Sequence, residues 1–444
     1  MNARDKQILQ IALPSIVSNI TVPLLGLIDV AIVGHLGSPA YIGAIAVGGM
    51  LFNIIYWIFG FLRMGTSGMT SQAYGKRDLP EVVRLLLHAV GIGLIVACGL
   101  IILQVPIRQA AFLIIHPTEE VRELATLYFH ICIWGAPAML GLYGLSGWYI
   151  GMQNSRIPMY IAITQNIVNI IASLSLVYFC GMKVEGVAWG TLIAQYAGFF
   201  MGIVLWMRQY GRLRKYLKPL NGKMRNSTTM MRFFRVNRDI FLRTLCLVAV
   251  TLFFTSAGAS QGVIILAVNT LLMQLFTLFS YVMDGFAYAG EALSGRYIGA
   301  RNREAFTDIT RRLFAWGGVM AILFTGVYAL GGNAFLGLLT DDKEVIAAAG
   351  TYFYWALAIP VAGIAAFIWD GIFIGATATR SMLLSMAIAA VCFFAIYYGL
   401  RPLLANHALW LAFLAYLFMR GVVQTGLSRG VIKRAFQFYI PTSN

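Results

Sequence analysis

The sequence has few acidic residues and few charges of either sign. Only 17 of its 444 residues are Asp or Glu, and charged residues make up 11% of the chain. Hydrophobic residues make up 59%, and the mean hydropathy is +0.77. So few charges cannot cover the surface of a soluble globule of this length, and the composition excludes that class. We therefore expect a polytopic membrane protein.

Cysteine is also scarce, and the signatures of enzymes are missing. The five cysteines are scattered singly, without CxxC or Cys/His spacing, so the sequence indicates neither a disulfide framework nor a metal site. It contains no Walker loop, no HExxH or GxSxG motif and no dinucleotide-binding fingerprint. We expect a protein that is not an enzyme and that binds no cofactor.

Long apolar runs account for most of the chain. A helix needs roughly 20 residues to cross a hydrocarbon core of about 30 Å, and twelve runs are long enough. They lie near residues 8–33, 40–63, 83–107, 124–150, 157–180, 184–207, 240–258, 262–293, 313–338, 350–376, 381–400 and 407–428. The sequence therefore predicts an all-α integral membrane protein with twelve transmembrane helices.

The net charge of +16 reflects an uneven distribution of Lys and Arg. If the N-terminus is cytoplasmic, the inner segments carry 26 basic residues and the outer loops carry five, while Arg63 and Arg243 lie near helix ends. This asymmetry is typical of the positive-inside rule. It predicts a multi-pass protein of the cytoplasmic membrane with both termini in the cytoplasm, and the charge then requires no nucleic acid partner.

The chain contains an internal duplication. The segment Gln72–Arg77 (QAYGKR) matches Arg296–Arg301 (RYIGAR), and Gly147–Gly151 (GWYIG) matches Gly371–Gly375 (GIFIG), both at an offset of 224 residues. Six spans in each half give the two halves the same orientation, related by an axis along the membrane normal. We predict two pseudo-symmetric six-helix lobes, residues 1–207 and 239–444, joined by a basic cytoplasmic linker, residues 208–238.

Four acidic residues are embedded in the apolar runs, and they are the first candidates for function: Asp29, Asp284, Glu291 and Asp370. A carboxylate inside hydrocarbon costs on the order of 2.5 to 3.5 kcal/mol even on the lenient insertion scale. Such a residue persists mainly where it faces a polar cavity or takes part in a transport cycle. The embedded charges therefore favour a transporter.

Asp29 lies near the outer end of the first helix, about four residues from the end of the apolar run. Pro14 and Pro23 interrupt the same helix, and each removes a backbone hydrogen bond and favours a kink. We expect the helix to bend or straighten with the charge on Asp29. The alternative is a static polar cluster in a helix that is kinked only for packing.

A second set of polar residues lies on the eighth predicted span. Tyr281, Asp284, Tyr288 and Glu291 recur at spacings of three and four, which places them on one helix face. Aromatic rings beside carboxylates suit an organic cation, at roughly 0.5 to 2 kcal/mol per ring. The alternative is a polar interface between helices. Asp370 has Ser146 as its repeat partner, which favours a role in substrate contact or coupling that only the second half has.

Several segments together resemble the multidrug and toxic compound extrusion (MATE) family, in its DinF-like branch. They are Asn19–Gly37 (NITVPLLGLIDVAIVGHLG), Gln72–Gly75 (QAYG), Asn237–Ile240 (NRDI), Asp284–Ala289 (DGFAYA) and Asp370–Thr377 (DGIFIGAT). The resemblance runs the whole length of the chain. It implies a two-lobe antiporter that expels small organic, often cationic, compounds in exchange for protons or sodium.

The resemblance also implies partners for Asp29. The family pattern places an Asn, then an acid four residues later, then a Thr after a Gly-containing loop, and these positions fall on Asn169, Ser173 and Thr191. Ser173 stands where the family has the acid, so this lobe offers less negative charge to sodium, whereas one carboxylate suffices for a proton. The departure favours coupling to the proton gradient. For Asn169 and Thr191, ordinary interhelical hydrogen bonding is the alternative.

Two other functions stay open besides a sodium-coupled exporter. A flippase for phospholipid or lipid-linked sugar would use the same architecture but needs cationic residues in its cavity, whereas the embedded charges are mainly acidic. An ion channel needs a repeated filter or a ring of charges, which one chain with non-equivalent acids does not provide. We expect a monomer whose partners are small organic substrates and membrane lipid.

Overall fold

The computed structural model describes residues 2–217 and 227–437, and the chain there is almost entirely helical. The α-helices are α1 (Ala3–Gly34), α2 (Pro39–Ile58), α3 (Phe61–Gly75), α4 (Leu79–Ile102), α5 (Gln104–Ile115), α6 (Glu119–Cys132), α7 (Ala136–Gly151), α8 (Arg156–Leu174), α9 (Val184–Gln209), α10 (Ser227–Ala259), α11 (Val263–Gly299), α12 (Arg303–Leu339), α13 (Lys343–Gly375), α14 (Thr379–Leu404) and α15 (Asn406–Gln437). A π-helical turn, Ser175–Phe179, continues α8.

In this part of the chain, twelve helical segments are long and apolar enough to cross a membrane. Three of them combine consecutive elements: α2 with α3, α6 with α7, and α8 with its π-helical turn. The shorter apolar helix α5 follows the third span. The prediction of an all-α membrane protein with twelve spans is confirmed.

The internal repeat is visible in the backbone. Arg77 and Arg301 both adopt a left-handed conformation, with φ of 59° and 56°, directly before α4 and α12. The next residue caps the helix in both cases, because Asp78 accepts a hydrogen bond from the amide of Glu81 and Asn302 accepts one from the amide of Ala305. The same turn is thus built twice, at the offset of 224 residues that the sequence shows.

Two glycines allow the same close helix crossing in both repeats. A Cβ atom at Gly147 would lie against the backbone carbonyl of Arg63, and one at Gly371 would lie against that of Ala287. The contacting residues are again 224 positions apart. The small residues let α3 pack closely against α7 and let α11 pack closely against α13, as is usual where transmembrane helices approach each other.

The described residues form two compact units. One unit lies within residues 17–234, and the other contains the residues before 17 together with those after 234. The division falls inside α1 and inside α10, so each of these helices has residues in both units. The lobe boundaries that the sequence suggested stay a prediction. Within the predicted linker, residues 218–226 lie outside the described residues, and α10 begins at Ser227.

Candidate functional site

Asp29 is buried in the unit of residues 17–234, where the residue is only 3% exposed. It lies five residues before the end of α1. Asn169 on α8 donates from Nδ2 to Oδ1 of Asp29 at 3.0 Å, and Thr191 on α9 donates from Oγ1 to Oδ2 at 3.1 Å. Three helices therefore contribute one polar side chain each, and both carboxylate oxygens accept a hydrogen bond.

Ser173 supports this arrangement without contacting the carboxylate directly. Its hydroxyl donates to Oδ1 of Asn169 at 2.9 Å, one helical turn along α8. Because the carbonyl end of the amide is occupied in this way, its NH2 group is directed to Asp29. Gly190 on α9 makes the close approach possible, since a Cβ there would lie 2.9 Å from the backbone nitrogen of Ser173. These four side chains, Asp29, Asn169, Ser173 and Thr191, form what we call the Asp29 cluster.

The Asp29 cluster contains no positive charge. Among the described residues, no Lys or Arg lies within ion-pair distance of the Asp29 carboxylate, and its only hydrogen bonds come from neutral groups. Neutral donors compensate only part of the cost of a buried carboxylate charge. Binding a proton or a cation relieves the rest, and this is the chemistry that the arrangement permits.

Helix α1 is held differently at its two ends. In its first turn, Asp5 forms an ion pair with Arg312 on α12 at 2.9 Å, and Arg4 forms one with Asp308 at 2.6 Å. Its last turns carry Asp29 and the hydrogen bonds to α8 and α9. The helix runs without a break past Pro14 and Pro23, so the prolines remove hydrogen bonds but do not end it. The bending of α1 stays a prediction.

The four residues on the polar face of α11 differ in how deeply they are buried. Tyr281, Asp284 and Tyr288 are half-buried, whereas Glu291 is 1% exposed. The backbone carbonyl of Glu291 lies at the crossing with α13, where a Cβ on Gly375 would be 2.6 Å away. The more accessible part of this face is therefore Tyr281 to Tyr288, and its role in substrate contact stays a prediction.

Asp370 on α13 lies between two arginines. Arg243 on α10 donates from Nη2 to Oδ2 at 2.5 Å, and Arg420 on α15 donates to the same oxygen. Gln424 donates from Nε2 to Oδ1 at 2.5 Å. All four side chains are buried, and all belong to the unit that contains the residues after 234. Two of these three donors to Asp370 are thus positively charged, in contrast to the donors to Asp29.

Known proteins are similar to this chain in sequence and in fold. The MatE family model matches the chain twice, over residues 14–174 and 240–398. DNA damage-inducible protein F of Escherichia coli K12 is 39% identical over 431 residues, which cover 95% of this chain and 91% of that protein. The two matches to the family model fall on the two repeats and together span most of the chain. The chain belongs to the MATE family.

More distant relatives agree with this assignment. A protein from Thermotoga maritima described as probable multidrug resistance protein NorM is 23% identical, over 77% of this chain and 73% of its own length. The crystal structure of the Vibrio cholerae MATE transporter VcmN in the bent form superposes with a TM-score of 0.86 at 15% identity and covers 99% of both chains. This MATE protein is therefore a multi-pass membrane transporter of a multidrug efflux family, and its resemblance to the DinF-like branch is confirmed.

Some residues at the two buried sites of this MATE transporter were missed from its sequence. Tyr128 on α6 is 5% exposed and interacts with the side chains of Thr191 and Cys132. Asn166 lies one turn before Asn169 and donates from Nδ2 to the backbone carbonyl of Thr21 on α1 at 3.2 Å. Its position three residues from Asn169 was a usable signal, because residues at that spacing share a helix face.

Arg243 and Arg420 were missed for a different reason. The sequence places them near helix ends or among the inner basic residues, where they count as topology signals. Only the packing of α10, α13 and α15 shows that both guanidinium groups turn inward to the same carboxylate. A single positive charge near the end of a span carries no information about which way its helix is rotated.

Proposed function

We propose that this transporter exports small organic compounds, cationic or amphiphilic, across the cytoplasmic membrane in exchange for protons, and that Asp29 carries the proton. The observation that supports this most strongly is the burial of the Asp29 carboxylate among neutral hydrogen-bond donors, without a cationic partner in the described residues. The proton gradient is the energy source, and no cofactor takes part.

The hydrogen bonds around Asp29 suggest where the proton is held. With both carboxylate oxygens accepting, the arrangement corresponds to the charged form. A protonated carboxyl needs an acceptor for its new O–H group. The NH2 group of Asn169 cannot accept a hydrogen bond, but the hydroxyl of Thr191 can both donate and accept. The proton is therefore held on Oδ2, and the Thr191 hydroxyl reverses its role when it arrives.

Protonation also changes what holds the outer part of α1. A hydrogen bond to an ionised group is roughly twice as strong as one between neutral groups. Neutralising Asp29 weakens its link to Asn169 on α8, while the first turn of α1 keeps its ion pairs to α12. Because Pro14 and Pro23 lack the amide hydrogens that stiffen a helix, α1 adjusts its curvature at these points. This change in the curvature of α1 switches the access of substrate from one side of the membrane to the other.

The composition of the Asp29 cluster favours a proton over sodium. Sodium prefers several oxygen ligands that include negative charge, as hard cations do. Here the second position is the hydroxyl of Ser173, and it already donates to Asn169. One carboxylate with neutral neighbours is a poor sodium site but a sufficient proton site. Sodium coupling stays the alternative for the same fold.

The charge distribution and the relatives support a membrane orientation and a class of substrate for the transporter. We place both termini in the cytoplasm, because 26 of the basic residues then face inward. A relative is described as a probable multidrug resistance protein, which supports organic compounds as the exported class. We expect the chain to act as a monomer in contact with lipid.

The experiment that tests this function uses the native chain in inverted liposomes with a fluorescent organic cation. An outward-directed gradient of protons or of sodium is imposed separately, and uptake of the dye is followed in each case. We expect uptake with the proton gradient alone. If only the sodium gradient drives dye uptake, sodium and not the proton is the coupling ion, and the proposal is wrong. A steady ionic current in the absence of dye would indicate a channel.

A further inference from the structure

The second buried polar site of the transporter is unusually rich in positive charge. We call Arg243, Asp370, Arg420 and Gln424 the arginine cluster. Their side chains come from α10, α13 and α15, and the exposed fractions of the three charged residues are between 4% and 7%. Ionisable residues at membrane depth are costly and most often mark a functional site. The Asp29-based mechanism does not use this one.

The single carboxylate of the cluster is fully engaged. Oδ2 of Asp370 accepts from both arginines, and Oδ1 accepts from Gln424. Two guanidinium groups thus share one negative charge, which leaves an excess of one positive charge at the centre of the cluster. Tyr416 lies 5.5 Å from Arg420 and offers its ring face to that cation but no negative charge.

Two buried polar atoms in the cluster also lack a partner within residues 2–217 and 227–437. Nε of Arg243 and Oε1 of Gln424 are buried and make no hydrogen bond to the described residues. A buried donor on a charged group without a partner is expensive, which is why such atoms are rare. The Nε–H group of Arg243 is therefore available to an acceptor that the described part of the chain does not supply.

A charge outside the cluster also acts on one of its arginines. Asp284 on α11 interacts electrostatically with Arg420. It is only half-buried, so solvent reduces its effect. Its charge therefore offsets only part of the positive charge of Arg420. The buried donor that has no partner among the described residues belongs to Arg243.

The fold itself does not require this cluster. At the offset of 224, the first repeat has Asn19, Ser146, Tyr196 and Phe200 at the equivalent positions, and none of them is charged. The first repeat builds the same crossing of helices without an ion pair. Since buried ion pairs stabilise little compared with apolar packing, a purely structural reason for two arginines here is weak.

We propose that the arginine cluster binds the anionic group, a carboxylate or another oxyanion, of an amphiphilic compound through Nε of Arg243. Arginine suits this role because its fixed fork of donors matches the planar geometry of a carboxylate. This proposal depends on the proposed export function only for what happens to the ligand after it binds. It adds compounds with an acidic group to the cationic or amphiphilic compounds proposed above as substrates.

The test is equilibrium binding to the full chain in nanodiscs, without any gradient. The probes are a dansyl-labelled alkyl carboxylate and the matched dansyl-labelled quaternary amine. For Arg243→Gln we expect the affinity for the carboxylate to fall about tenfold or more, as for the loss of a charge-assisted hydrogen bond, while the amine binds as before. Arg243→Lys keeps the positive charge but lacks the Nε donor, so its affinity for the carboxylate should lie between those of the native chain and of Arg243→Gln. Arg235→Gln, on the exposed part of the same helix, serves as the control and should change neither affinity.

Equal loss of both probes in Arg243→Gln, or an unchanged affinity for the carboxylate, would overturn the proposal. If that variant does not fold, Arg243→Lys decides the question, because it keeps a positive charge beside Asp370 and should still bind the carboxylate more weakly than the native chain does. Nanodiscs of zwitterionic and of anionic lipid separate two sources of the acidic group, because competition by anionic lipid would identify a lipid headgroup as the ligand. Binding is read without transport, so a failure of proton coupling leaves this result intact.

Discussion

Asp29 and Phe253 occupy equivalent positions in the two repeats, but their surroundings are opposite. Asp29 accepts a hydrogen bond from Asn169, whereas the ring of Phe253 packs on Phe393, the repeat partner of Asn169, at 5.9 Å. Phe253 also contacts Tyr397, the partner of Ser173, at 5.3 Å. The polar cluster of the first half is thus an aromatic cluster in the second half. The two repeats therefore share their helical framework but differ in the chemistry of these equivalent positions.

The role of the Thr191 hydroxyl is tested by one substitution that removes the hydroxyl at nearly equal volume and one that keeps the hydroxyl. Among the described residues, Thr191 is the hydrogen-bonding neighbour of Asp29 that can both donate and accept, so we expect Thr191→Val to lower proton-driven uptake about tenfold or more. Thr191→Ser keeps the hydroxyl and should retain most of the activity. The measurement is the initial rate of dye uptake in inverted liposomes. Equal rates in the two variants would show that the hydroxyl does not take part.

Ser173 offers a test of ion selectivity. Ser173→Asp adds a second carboxylate beside Asn169, and the greater negative charge should attract sodium. We expect uptake driven by a sodium gradient to appear in this variant and proton-driven uptake to decrease. Ser173→Asn is the control, because it has nearly the same size as Asp without the charge. If a sodium gradient drives dye uptake in neither variant, or equally in both, the residue at position 173 does not determine which ion is used.

The repeated helix crossing makes a prediction about stability. Gly371→Ala places a methyl group against the backbone carbonyl of Ala287, which cannot move aside as a side chain can. We expect a destabilisation of about 1 to 3 kcal/mol, as for overpacking in a tight core. Thermal unfolding in detergent measures it. Gly399→Ala, with no atom within 4 Å of the added Cβ, is the control and should leave the melting temperature unchanged or slightly higher. A similar loss in both variants would contradict the close crossing.

Much of the architecture was accessible from the sequence because its causes are local. Twelve apolar runs give twelve spans, and the QAYGKR and RYIGAR segments give the repeat, since hydropathy and turn geometry depend on neighbouring residues. The structure also brings Asp29, Asn169, Ser173 and Thr191 together, as the family resemblance implied. Their roles in coupling stay a prediction.

The arginine cluster was beyond the sequence for a physical reason. Whether Arg243 faces lipid, water or Asp370 depends on the rotation of α10 about its axis, and tertiary packing sets that rotation. Long side chains add to the difficulty, because an arginine near a helix end can reach outward to the interface or inward to a partner. The same applies to Tyr128, because the packing of α6 against α9, and not the local sequence of α6, brings this side chain to Thr191.

The most direct test of the account is the coupling of transport to protons in Asp29→Asn. Dye uptake and proton movement are measured together in inverted liposomes, with Asp341→Asn as the control because Asp341 is an exposed acid far along the chain. We predict that the native chain and the control release protons in step with dye uptake, and that Asp29→Asn shows neither. Proton-driven uptake that survives in Asp29→Asn would contradict the account and would place the coupling group elsewhere.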